Sequence, residues 1–237
     1  MSCRRRRFTC VLLGVAVALC ASTLQANAFA QSASSSTPSR SNSATSRNKR
    51  TPVSSLDAGS VGAGVYRNPA LGFTCTIPAG WVLRTEEMNT VQNQDAASDQ
   101  DKTKVDLGKS ARVLLAAFSR PPEARAEDVN ASIVIAAESA AAYPGLKEAA
   151  QYFAPLTEVT KAQGFETDGD PYALVIGSKT LARADFHKDV GTRVMRQSTL
   201  VIVARGYVVS FTFIGGTDDE VDELIEGLSF ASGPHYK

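Results

Sequence analysis

The sequence predicts an α+β domain, a three-layer α/β/α sandwich with a mainly antiparallel sheet of about six to seven strands. Three observations predict it. Short runs of alternating or continuous apolar residues recur between turn residues, the signature of strands with one or both faces covered. Two stretches, one mid-chain and one near the C-terminus, carry apolar residues at helical spacing. The longest apolar runs are separated by tight turns, which favours antiparallel neighbours.

The elements follow in order from Val65. In "FTCTI", Phe73, Cys75 and Ile77 alternate with Thr74 and Thr76, a strand with one buried face. Pro78-Ala79-Gly80 turns the chain into "WVLR". Residues 85–109 are polar, with six acids and three lysines, and read as a long surface loop. "RVLLAAFSR" (112–120) and "ASIVIAAES" (131–139) are apolar on consecutive positions, so both faces of these strands are covered.

A helix is predicted from about Leu146 to Gln163, with Leu146, Ala149, Ala150 and Phe153 on one stripe, and Pro155 is expected to kink or split it. "YALVIG" (172–177) and "TLARADFH" (180–187) form a hairpin or bent strand, and "KDVGT" turns. "RVMRQSTLVIVA" and "YVVSFTFI" are long strands joined at Arg205-Gly206, where glycine tolerates positive φ. The last helix has Thr217 as cap, Glu220 completing a T-x-x-E box, acids at its positive end, and Val221, Leu224, Ile225 and Leu228 as its apolar stripe.

Three segments divide the chain. Residues 1–30 read as an export signal: Arg4 to Arg7, then the apolar run Val11 to Ala21, too short for a stable membrane span, then two A-x-A sites ending at Ala28 and Ala30. "RRRF" fits the core of a twin-arginine signal, although four consecutive arginines produce that match readily, so both the general and the twin-arginine routes stay open. Cys20 follows Leu19, where a lipidation signal has Gly, Ala or Ser, which disfavours a lipid anchor. Residues 31–64 are Ser, Thr, Asn and Gly with a few cations and read as a disordered linker. Residues 65–237 form the sandwich domain.

Charge and cysteine content exclude some classes. The chain carries +1, and four arginines with no acid fall in residues 1–30, which leaves −3 for 31–237. The linker holds +3, so the domain carries −6, a poor match to a phosphate backbone. Nucleic acid is therefore not an expected partner. Once the signal is removed only Cys75 remains, so no internal disulfide supports the fold.

The opening run of the domain carries a family resemblance. Tyr66-x-Asn68-x-x-x-Gly72-Phe73, followed by Pro78-x-Gly80-Trp81, resembles the start of PsbP-like domains: the extrinsic photosystem II subunit and bacterial relatives of unknown function. The Ran-binding, Mog-type nuclear import factor shares that fold. The resemblance covers roughly residues 65–231 and implies the fold much more than any activity. In its terms Gly72, Pro78 and Gly80 set turns, and Trp81 anchors the hairpin by burying its ring. No photosystem role and no Ran-contact residue is carried over.

Reactive chemistry is sparse. The two histidines are His187 and His235, and His235 lies two residues from the end of the chain. No G-x-S-x-G elbow occurs; "GLSFA" at 227–231 sits at a helix end. Cys75 shares a strand face with Phe73 and Ile77 and reads as a core residue. "GSKT" (177–180) lacks the rest of a phosphate loop, and "ETDGDP" (166–171) reads as a turn rather than a calcium loop. The metal candidate is Asp185, His187 and Asp189, which project to one face if the strand persists; Arg183 on that face argues for a solvated charged surface instead. No catalytic residue and no cofactor motif is read.

The sequence thus points to an exported, non-enzymatic binding or accessory domain whose partner is a cell-envelope protein, met through a sheet edge or the 85–109 segment. A metal-binding protein or enzyme centred on His187, and a small-ligand carrier with a pocket between sheet and helix, are the alternatives. The oligomeric state is not legible.

Overall fold

The computed structural model describes residues 56–98, 112–121, 124 and 128–231, without the side chains of 92–98. The export signal, most of the linker, residues 99–109 and His235 lie outside the described residues.

Among the described residues twelve strands make two antiparallel sheets. The small sheet runs β1 (Ser60–Gly62), β2 (Val65–Asn68), β3 (Phe73–Thr76) and β12 (Leu228–Phe230). The large one runs β4 (Val82–Leu83), β5 (Arg112–Phe118), β6 (Ser132–Ser139), β11 (Tyr207–Gly215), β10 (Arg193–Ala204), β9 (Lys179–Val190) and β7 (Glu166–Thr167), with β8 (Tyr172–Ile176) also on β9. The fold is the expected α+β sandwich, with the strands shared between two sheets.

The apolar runs explain the layers. β5 and β6 are buried at nearly every position because both faces of the large sheet are covered. One face carries Ala182, Ala184 and Phe186 of β9, Val201 of β10 and Val208 of β11 beneath Tyr152 and Phe153. The opposite face meets the small sheet, where Phe73 packs edge-on against Phe211 with centroids 4.9 Å apart. Helix α3 (Asp218–Glu226) lies beside it and buries Val221, Leu224 and Ile225.

The turns follow glycine. β10 and β11 pair Ala204 with Tyr207, leaving Arg205 and Gly206 as a two-residue loop with φ of 51° and 82°. Both central residues at positive φ make it the mirror-image turn that suits the twist of a hairpin. β9 and β10 pair Val190 with Arg193, so the turn is Gly191-Thr192 and Lys188, Asp189 and Val190 belong to β9 rather than to a longer turn.

Four expectations change. The 85–109 segment is not a loop throughout: Thr85–Ser98 is helix α1. It has no wide apolar stripe, and it docks by polar contacts. Asn89 donates to Val113 O at 3.0 Å and accepts from Val113 N at 3.0 Å, acting as a strand residue would on the open side of β5. Met88 adds an apolar contact to the Val113, Ala116, Phe118 and Val134 cluster.

The mid-chain helix is shorter than predicted. A 3-10 turn covers Ala149–Tyr152, and α2 runs Phe153–Ala162. Pro155 stands in the first turn of α2, where its missing N–H has no intrahelical acceptor, so it starts the helix rather than breaking it.

Order begins before Val65, since β1 lies within the 31–64 stretch read as linker and pairs with β2. Its composition hides this, because it is held by backbone acceptors rather than apolar side chains. Tyr66 Oη donates to Ala58 O at 2.8 Å, and Asn68 Nδ2 donates to Asp57 O at 3.0 Å.

Trp81 is only half-buried, so it is not the anchor of the opening hairpin. Tyr66, at 1 % exposure, Asn68 and Cys75, both at 0 %, take that place. Asn68 Oδ1 accepts from Leu71 N at 2.9 Å and its carbonyl accepts from Gly72 N at 2.8 Å, closing a turn in which Gly72 has φ of 77°.

Candidate functional site

The charged side chains concentrate on the α3-facing side of β9 and β10. Odd positions of β9 project to that face, and the Gly191-Thr192 turn sets Asp185 opposite Ser198 and His187 opposite Arg196. α3 crosses this face because its apolar stripe is buried there, and that brings Asp218 and Asp222 over the strands.

The inner group centres on Arg183. Its Nε donates to Asp185 Oδ1 at 2.8 Å, and its Nη2 reaches Asp222 Oδ1 at 2.8 Å and Ser198 Oγ at 3.0 Å. Tyr172 Oη donates to Asp185 Oδ2 at 2.8 Å, and Ser198 Oγ also donates to Asp185 Oδ1. Burial pulls the Arg183 guanidinium down, but its bonds to Asp185 and Asp222 outweigh that and leave it raised. Burial, and then the bond to Asp185, push the Tyr172 phenol up to about 12. The group is a connected network of hydrogen bonds and ion pairs.

The outer group is looser. His187 Nδ1 lies 2.5 Å from Asp168 Oδ1, and Nε2 lies 3.7 Å from Glu166 Oε2. An ionised Asp168 only accepts, so Nδ1 carries the proton. Arg196 is shared between Asp168 Oδ2 at 3.4 Å and Asp218 Oδ1 at 3.6 Å. Beside it opens a cleft of about 560 Å³ lined by Arg193, Val194, Arg196, Asp128, Thr217 and Asp218, with Glu220 at its wall.

Two of the cleft's acids are already engaged. Asp128 accepts from Arg120 Nη1 at 3.0 Å. Glu220 Oε2 accepts from Gly216 N at 2.7 Å, while Glu220 N donates to Thr217 Oγ1 at 3.1 Å. Arg193 is exposed, and no described side chain pairs with its guanidinium. The cleft thus holds three acids and two arginines, and of these Arg193 is the one with no described side-chain partner.

Asp185, His187 and Asp189 do share one face of β9, but Asp185 is bound by Tyr172, Arg183 and Ser198 and His187 by Asp168. Among the described residues no three His, Cys, Asp or Glu side chains gather as a metal-binding group. Cys75 is buried, and burial pushes its thiol up to about 12, which keeps it protonated.

Arg196 was within reach of sequence reasoning, since a two-residue turn at Gly191 sets it opposite His187. Asp168 was not, because its position depends on β7 pairing with β9 across a long connection.

No family model matches the chain, and no curated protein matches it. Solved structures do. Cyanobacterial PsbP (CyanoP) of Synechocystis is 17 % identical with a TM-score of 0.41, covering 73 % of this chain and 96 % of that one. The Ran-binding protein Mog1p of Saccharomyces cerevisiae is 13 % identical with a TM-score of 0.38, covering 71 % and 95 %. LpqN of Mycobacterium tuberculosis, described as involved in cell envelope biogenesis, is 16 % identical with a TM-score of 0.37, covering 68 % and 83 %. The solved structures it matches include a PsbP and a Mog1 protein, the two kinds that the opening motif resembles.

Proposed function

We propose that this chain is an exported, non-enzymatic binding domain that captures an acidic segment of a cell-envelope protein in the cleft between β10 and the start of α3. The observation that carries the reading is the pair of under-used guanidiniums at that cleft: Arg193 has no described side-chain partner, and Arg196 is held only at 3.4 and 3.6 Å. A guanidinium fork on a rigid strand suits a carboxylate, which it binds through two parallel hydrogen bonds. The export reading rests on Arg4 to Arg7, the apolar run Val11 to Ala21 and the A-x-A sites.

The test is a cross-linking pull-down from envelope fractions with wild type, Arg193→Glu/Arg196→Glu and Arg193→Lys/Arg196→Lys. Charge reversal is expected to cut capture at least about tenfold, with the lysine variant between, while circular dichroism stays unchanged. Equal capture by all three removes the cleft from the proposal. Zinc or manganese that raises the melting temperature of wild type but not of His187→Ala would replace this reading with the metal site on Asp185, His187 and Asp189.

A further inference from the structure

The strongest unassigned surface is the open edge of β8. Among the described strands β8 pairs only with β9, and its other side is unpaired. The strand Tyr-Ala-Leu-Val-Ile itself contains no charge and no proline, and Asp170 and Pro171 stand just before it. Tyr172 is 47 % exposed and Val175 66 %.

Backbone geometry fixes which groups are available. The hairpin loop is Gly177-Ser178, and Ile176 pairs with Lys179. A two-residue loop is closed by a hydrogen-bonded pair, so Tyr172, Leu174 and Ile176 point their N–H and C=O groups at β9. Those of Ala173 and Val175 point outward.

We infer that a second copy of this chain pairs with β8, antiparallel, about a two-fold axis at Leu174. In that register Ala173 lies opposite Val175 of the partner subunit, and each such pair exchanges both backbone hydrogen bonds. Leu174 meets its own symmetry mate, and Tyr172 lies opposite Ile176 of the partner subunit, an aromatic–β-branched pair. The flanks select a second copy over an unrelated strand. Asp170 precedes β8 and Lys179 follows its turn, and no described side chain pairs with either. In that register Asp170 falls opposite Ser178 of the partner subunit, next in the chain to the partner's Lys179, so opposite charges come near each other and no like charges face. The interface is self-complementary, as a two-fold dimer requires.

A five-residue strand pair buries less than the roughly 1,200 Å² of a standard stable complex, so the dimer is reversible. This edge is separate from the cleft, and its test reads mass rather than capture. Light scattering of the full chain from about 1 to about 200 µM is expected to show the mass rising toward twice the monomer. Ala173→Pro removes an outward N–H, leaves the β8–β9 ladder intact, and is expected to stay monomeric throughout with an unchanged melting temperature. Asp170→Lys and Lys179→Asp are each expected to weaken the dimer about tenfold, and the double exchange to restore it. If Ala173→Pro fails to fold, the charge exchange decides. A wild type that is monomeric at about 200 µM, including one that takes up another protein's strand there, overturns the proposal. So does a dimer that survives Ala173→Pro, or a double exchange that restores nothing.

Discussion

His187 Nδ1 stands 2.5 Å from Asp168 Oδ1, and the pair ties β9 to the segment that follows β7. The side chains are 29 % and 31 % exposed, so water screens the contact only in part. Next to it Asp168 N donates to Asp185 O at 2.9 Å. A double-mutant cycle of His187→Ala and Asp168→Ala is expected to give a coupling of about 0.5–1 kcal/mol in urea unfolding. Hydrogen exchange at the residue 168 amide, which donates to Asp185 O, should accelerate in either variant while β10 and β11 keep their protection. Full additivity would mean that the pair does not hold the edge.

Asn68 is the polar centre of the opening hairpin. Asn68→Ala leaves Leu71 N–H and Asp57 C=O without their partners and is expected to cost about 2–4 kcal/mol. Asn68→Asp keeps the acceptor for Leu71 but places a carboxylate at a fully buried position, and is expected to cost at least as much. Trp81→Phe, at a half-buried site, should cost under about 1 kcal/mol. Chemical denaturation of the three variants checks the order, and a larger loss from the tryptophan change would reverse the account of the motif.

Stability should fall in alkali. Burial raises the Cys75 thiol from 9.0 to about 12, and burial with the Asp185 bond raises Tyr172 from 10.0 to about 12. Between pH 9 and pH 12 the unfolded chain releases these protons and the folded chain keeps them. The unfolded state then binds fewer protons, so the unfolding free energy declines as pH rises. Below pH 9 the contribution is complete. Melting temperature against pH should turn downward near pH 9, and less steeply in Cys75→Ala, once that variant's lower neutral-pH stability is subtracted. Identical slopes would remove the thiol from the effect.

Legibility in the sequence tracked the source of stabilisation. α3 was readable because cap, dipole and apolar stripe agree, and Glu220 N does bond Thr217 Oγ1. The Arg205-Gly206 hairpin was readable because its turn chemistry is local. α1 was missed because Asn89 docks it against a strand more than twenty positions away, which no periodicity records. β1 was missed because the residues just before it are fixed through their backbone carbonyls, Asp57 O and Ala58 O, to donors supplied by Asn68 and Tyr66. At the site, the β9 face was predicted by alternation, but the partners of its charges came from the segment after β7 and from β8, β10 and α3.

Asp57 O and Ala58 O are held by Asn68 Nδ2 and Tyr66 Oη, and both donors sit in the buried part of the small sheet. Tension applied through the residues before Asp57 reaches those two bonds before it reaches the β1–β2 ladder. They act as a strain relief for β1: a pull at Asp57 passes through the two bonds into β2, and the β1–β2 ladder is loaded only once Asn68 and Tyr66 let go.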